Sequence, residues 1–206
     1  MSKRELCPLC SRPLVTCICA FAHKIDNQIE VIILQHPLEQ KESKNTAGLL
    51  HLCLNHSELH IGESFDDAFF ARNRLSPKLD VLLYPPTPES ASLGIQAPPE
   101  LALSRVNLPI RLWILDATWR KSRKMLYLNI ELQRMPRLDL TDCPPSLYEI
   151  RKAQGEHQLS TLEACCYALR QLEHNQVDYT PILDAFKTFI TDFKSRIPHH
   201  LLQDRP

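Results

Sequence analysis

An α/β domain, with a mostly parallel sheet and helices on both of its faces, is the fold class the sequence predicts. Apolar runs of strand character alternate along the chain with segments of helical periodicity, the pattern of strands joined by crossover helices. A length of 206 residues with 44% hydrophobic content suffices for one sizeable core, whereas two full domains would be cramped. No stretch approaches eighteen consecutive apolar residues, which excludes a helical membrane span.

The elements follow in order. Residues 1–22 form a cysteine-rich block without periodicity, separate in composition from 23–206. Ile29 to His36 is a β-branched run, the mark of a buried strand. Thr46–Asn55 predicts a helix with Leu49, Leu50, Cys53 and Leu54 on one face, and Asp66–Leu75 predicts another. Asp80 to Tyr84 is a strand stopped by Pro85 and Pro86. The proline-rich stretch 86–109 reads as loop with at most a short helix. Arg111 to Asp116 is a further strand, followed by a helix over Trp119–Gln133, and Tyr148–Lys152 suggests a short strand. Leu162, Cys165, Cys166, Leu169 and Leu172 recur at helical spacing behind a Ser160-x-x-Glu163 capping box. Thr180-Pro181 opens a last helix whose apolar face runs from Ile182 to Phe193.

Composition excludes several function classes. Lys+Arg and Asp+Glu balance at 24 each, so a nucleic-acid surface must come from local segregation of charge. Only 4 glycines occur against 16 prolines, and neither a dinucleotide fingerprint nor a P-loop is present. The N-terminus lacks a signal-peptide pattern, so a cytoplasmic protein is expected. In that compartment 8 cysteines point to metal or free thiols rather than disulfides.

Cys7-x2-Cys10-x6-Cys17-x-Cys19 places four thiols within thirteen residues. A tetrahedral zinc ion takes four such ligands, and with no open position evident the site reads as structural; free thiols and an iron–sulfur centre are the alternatives. Cys165 and Cys166 read as core residues.

In open α/β sheets ligands sit beyond the carboxyl ends of strands. Three such ends carry polar or aromatic residues: His36-Pro37-Leu38-Glu39 with Asn45-Thr46, Leu83-Tyr84-Pro85, and Asp116-Ala117-Thr118-Trp119. The junction Leu159-Ser160-Thr161 joins them. Asp116 or Thr118 could instead cap the following helix, and Trp119 could be core. Between Arg111 and Arg137 stand seven basic residues against two acidic ones. Arg120, Lys121, Arg123 and Lys124 at its centre form either a solvated helix face or a surface for RNA phosphates.

Together these motifs resemble the DTW-domain family, whose members are similar to the knotted SPOUT-type RNA methyltransferases. The resemblance rests on the cysteine block, His36-Pro37-x-Glu39 with Asn45-Thr46, Leu83-Tyr84-Pro85, Asp116-Ala117-Thr118-Trp119, Tyr148-x-x-Arg151-Lys152 and Ser160-Thr161-x-Glu163-Ala164. Here Asp-Ala-Thr-Trp stands where the family has a strict Asp-Thr-Trp.

The resemblance implies a SPOUT-like trefoil knot holding S-adenosylmethionine, with adenine against Leu83, Pro85 and Trp119 and the remainder near Leu159, Thr161 and Ala164. It implies transfer of the 3-amino-3-carboxypropyl group to N3 of a tRNA uridine, with release of methylthioadenosine. Asp116 is the candidate general base, or an electrostatic stabiliser, and Arg151 and Lys152 join the expected RNA surface. Methyl transfer, modification of rRNA, and a non-catalytic zinc RNA-binding module are the competing readings. No obligate protein partner is evident.

Overall fold

A computed structural model describes residues 5–40, 42, 44–73, 75–85, 95, 97–101, 108–140, 143–146 and 159–196. Five strands, β1 (Glu30–Gln35), β2 (Ser57–Ile61), β3 (Leu79–Leu83), β4 (Ile110–Asp116) and β5 (Arg137–Leu138), form one sheet in the order β2-β1-β4-β3-β5. Every pairing in it is parallel. The helices are α1 (Ala47–Cys53), α2 (Asp67–Asn73), α3 (Trp119–Leu128), α4 (Ile130–Gln133), α5 (Thr161–Leu172) and α6 (Thr180–Ser195). The expected α/β class with a parallel sheet is therefore present, and seven of the elements read from the sequence lie within about two residues of their expected bounds.

Alternation along the strands divides the core in two. Val31, Ile33, Val81, Leu112 and Ile114 face a cluster completed by α1, α5 and α6. Ile32, Leu34, Leu82, Trp113 and Leu115 face Phe70, Met125, Leu126 and Leu132 on the other side. A sheet covered on both faces needs strands that are apolar throughout, and β1 and β4 have that character.

Three elements depart from expectation. β2 is an edge strand in which Glu58 and Ile61 are exposed, so its five residues show no apolar run. β5 is two residues long. The helix expected over Trp119–Gln133 breaks at Asn129, whose side chain donates to Met125 O (2.6 Å) and Glu63 O (3.0 Å) and accepts from Phe65 N (2.8 Å). That amide pins the segment before α2 to the end of α3, and the break is what frees it to do so. The described part of 86–109 has neither helix nor strand. Tyr148–Lys152, with the expected short strand, lies outside the described residues.

The amino edge of the sheet is closed by charge. Arg111, 3% exposed as a side chain, donates from Nε to Glu30 (2.7 Å) and from Nη1 to Asp80 (3.2 Å). Lys78 also meets Glu30 (2.6 Å), and the Trp113 indole donates to Asp80 (2.8 Å). The carboxyl edge is different, because there the chain leaves β1 toward α1 on one face and leaves β4 toward α3 on the other. Neighbouring strands whose connections diverge in this way leave a crevice at their carboxyl ends, the usual ligand position of open α/β sheets.

Candidate active site

Asp116 is the last residue of β4, in register with Gln35 at the end of β1. The residue is only 6% exposed, and its carboxylate is held by three neutral donors. Gln35 Nε2 (2.9 Å) and Asn45 Nδ2 (2.7 Å) donate to Oδ2, and Thr161 Oγ1 (2.7 Å) donates to Oδ1. Asp116 is therefore no helix cap. The N-cap of α3 is Thr118, whose side chain makes no capping bond. An ionised carboxylate offers about four acceptor positions; among the described residues three are taken, two on Oδ2 and one on Oδ1, leaving about one on Oδ1.

Asp116 lines a cavity of about 210 Å³ together with Asn45, Thr46, Thr118, Ser160 and Thr161. Its volume falls below the ~300 Å³ of a typical small-ligand pocket, so it accommodates the reacting part of a ligand rather than a whole cofactor. Glu39 and Lys121 also line it and pair with each other at 2.7 Å. The capping box at α5 is complete, with Ser160 Oγ accepting from Glu163 N and Ser160 N donating to Glu163 Oε2. These two residues thereby hold Thr161 at the helix start, opposite Asp116.

A second polar chain stands beside the first. Leu38 N donates to His36 Nδ1 (3.1 Å), so the ring proton sits on Nε2, which meets Glu63 Oε1 at 3.0 Å. Lys124 pairs with the other Glu63 oxygen at 2.8 Å. The Lys124 bond, followed by the His36 bond, holds the Glu63 carboxyl below its usual pKa. The basic run on α3 is thus not uniformly cationic: Lys121 and Lys124 meet acids, while Arg120 is exposed and Arg123 is half-buried. Arg151 and Lys152 lie outside the described residues.

The residues expected around a cofactor all lie at this carboxyl edge. Thr161 lines the cavity with Asp116. Leu83 ends β3 and Pro85 follows it, while Trp119 opens α3, 45% exposed, and meets the Tyr84 ring edge-on at 5.8 Å. Leu159 precedes the α5 cap and Ala164 lies in the first turn of α5. Beneath this rim the Arg137 guanidinium sits 5.2 Å over Tyr84 and donates to Pro85 O at 3.4 Å. Burial holds Arg137 below its usual pKa.

Sequence reading missed Gln35, Asn45 and Thr161 as holders of the carboxylate, and Glu63 as the partner of His36. Gln35 carried a signal, since a glutamine ending a buried β-branched strand needs a polar partner. Glu63 carried none.

The four thiols of the N-terminal block converge. Cys7, Cys10, Cys17 and Cys19 place their sulfurs within 4.8 Å of one another, a group that could hold a metal ion. Cys7 and Cys19 stand 3.7 Å apart, and Cys10 and Cys17 3.8 Å. These separations exclude disulfides. They match the ~3.8 Å between ligands of a tetrahedral ion with metal–sulfur bonds of about 2.3 Å. Backbone N–H groups of Cys10 and Leu9 lower the Cys7 thiol to about 6, whereas burial, followed by the neighbouring thiols, pushes Cys19 up to about 12.

Comparison with known proteins gives consistent relatives. A tRNA-uridine aminocarboxypropyltransferase 2 of Macaca fascicularis is 30% identical over 178 residues, covering 84% of this chain and 58% of that protein. The Drosophila melanogaster protein of the same name is 31% identical over 180 residues, covering 84% and 68%. An Arabidopsis thaliana tRNA-uridine aminocarboxypropyltransferase A is 29% identical over 140 residues, covering 60% and 51%. The chain thus spans between about half and two thirds of these relatives. No solved structure matches it. The sequence model of the DTW domain matches residues 4–194, and the chain belongs to the DTW domain family.

Proposed function

We propose that this chain is a cytoplasmic tRNA-uridine aminocarboxypropyltransferase, acting on N3 of a uridine with S-adenosylmethionine as donor. The observation that carries the reading is Asp116: a buried carboxylate, with one acceptor position that no described residue fills, lining a polar cavity at the sheet's switch point. A uracil N3–H is a single donor of the kind that position accepts. The names of the relatives supply the substrate class.

S-adenosylmethionine supplies an activated carbon beside a sulfonium, with methylthioadenosine as leaving group. The residues present suit it: the donor carries no phosphate, and the rim offers apolar and aromatic groups rather than a glycine cradle. Leu83, Pro85 and Trp119 would take the purine, with Leu159, Thr161 and Ala164 nearby, in a SPOUT-like knotted arrangement. Asp116 accepts the N3 proton as the N3–carbon bond forms. Gln35, Asn45 and Thr161 fix which lone pair does so. Arg120, Lys121, Arg123 and Lys124, with Arg151 and Lys152, would meet the tRNA backbone. The cysteine block, residues 1–22, would hold one structural zinc beside a DTW domain over 23–206.

The test is incubation with S-adenosylmethionine and unmodified tRNA, followed by nucleoside and small-molecule mass spectrometry. Aminocarboxypropyl-uridine and methylthioadenosine are expected. S-adenosylhomocysteine with a methylated nucleoside would reassign the enzyme to methyl transfer. Donor consumption at background level would leave an RNA-binding module.

A further inference from the structure

The cysteine segment reaches the candidate catalytic carboxylate through one side chain. Arg12 lies between Cys10 and Cys17, and its carbonyl accepts from Cys7 N at 2.8 Å, so its backbone is part of the cysteine fold. Its guanidinium leaves that fold, passes 6.0 Å over the Phe189 ring of α6, and donates from Nη2 to Asn45 O at 2.9 Å. Asn45 in turn gives its amide to Asp116 Oδ2 (2.7 Å) and accepts from Gly48 N (3.1 Å) at the start of α1. Ile18, between Cys17 and Cys19, is 2% exposed and part of the main core. A Cβ placed on Gly48 would lie 3.8 Å from both Ile18 Cδ1 and Asn45 Oδ1, so the segment and Asn45 sit against the same helical turn.

We infer that Arg12 is a positioning residue for the transfer: by anchoring the Asn45 carbonyl it sets the amide that orients Asp116. The step rests on Asp116 carrying the reaction. Its physical basis is that Asn45, with Gln35, occupies Oδ2, and so the acceptor position that no described residue fills is on Oδ1. An Asn45 free to drift would leave Oδ2 held by Gln35 alone and loosen the carboxylate's orientation. Displacements of this size, below an ångström, are enough to slow a reaction held in near-attack geometry. The cysteine segment is then part of the scaffold of the reaction, although none of its described side chains lines the cavity.

A double-mutant cycle in kcat tests this. Arg12→Gln is expected to lower kcat roughly tenfold with little change in KM for S-adenosylmethionine and unchanged metal content. Asn45→Ala is expected to lower kcat at least as far. In the Asn45→Ala background, Arg12→Gln should add less than about a twofold loss, because the group it positions is gone. Arg12→Lys, which keeps one donor and the apolar stem, should restore most of the rate, and it serves in the same cycle should the glutamine variant lose metal or fold. A wild-type kcat in Arg12→Gln overturns the inference, as does an equal loss in both backgrounds, which marks a merely structural contact. Absence of aminocarboxypropyl transfer by the wild-type protein is a separate outcome and overturns the functional reading beneath it.

Discussion

Asp116 has neighbours that make an unusually informative substitution possible. Removing the carboxylate with alanine would orphan Gln35, Asn45 and Thr161 together, so loss of activity could not be told from loss of structure. Asparagine avoids this. Its oxygen can take the place of Oδ2 before the two amides, and its NH2 can face Thr161, whose hydroxyl turns from donor to acceptor. Asp116→Asn should therefore fold normally and bind S-adenosylmethionine with nearly unchanged affinity in calorimetry. Its kcat should fall by about 10²–10⁴-fold, because an amide cannot take the N3 proton. Turnover close to wild type at saturating substrates would remove Asp116 from the proton transfer. Asp116 itself was legible in the sequence, as an acid ending an apolar strand. Its three holders come from three separate stretches of chain, and only the sheet register and the turn of α5 bring them together.

At the scale of elements, the long and strongly patterned segments were legible and the short ones were not. β1 and β4 announce themselves because both faces are buried. β2 and β5 exist through pairing with neighbours, which no local pattern encodes. The break at Asn129 is similarly a tertiary matter, since its side-chain partners in the Glu63–Phe65 segment lie over sixty residues away. The amino edge of the sheet supplies a test at this scale. Burial pushes the Glu30 carboxyl up, but the bonds from Lys78 and Arg111 outweigh it and leave its pKa below the ordinary value. A carboxyl with a depressed folded pKa contributes stability above its unfolded pKa and loses it as pH falls through the folded one. Glu30→Gln should accordingly lower stability by about 1 kcal/mol at neutral pH, a figure that allows for solvent at this half-buried position. Denaturant unfolding should show the gap between wild type and variant closing as the pH drops below the usual carboxylate range. A gap that stayed constant with pH would mean that packing, not charge, links β1 to β4 at this edge.

At the scale of the whole molecule, the cysteine segment packs against the C-terminal helix α6 and the main core. Ile18 from the cysteine segment is buried in the cluster formed by α1, α5 and α6, and Phe21 meets Phe189 of α6 edge-on at 5.8 Å. Composition sets residues 1–22 apart, and within that segment Ile18 and Phe21 pack against the core; four cysteines without periodicity say nothing about where the intervening isoleucine goes. If one zinc ion fixes the four sulfurs, its removal releases the segment that carries Ile18, and the stability at stake belongs to the entire domain. Burial of an isoleucine side chain is worth about 1.5–3 kcal/mol. For a domain of this size each kcal/mol moves Tm by about 2–4 °C, so chelation, or Cys19→Ser, should lower the melting temperature by about 3–12 °C. Elemental analysis should first give about one zinc per chain in protein purified without chelator. The melt followed by near-ultraviolet and far-ultraviolet dichroism should remain a single transition that moves as a whole. A chelated protein whose main transition stays in place while a small early one appears would mean that the cysteine segment folds and melts on its own, with Ile18 contributing nothing to the rest.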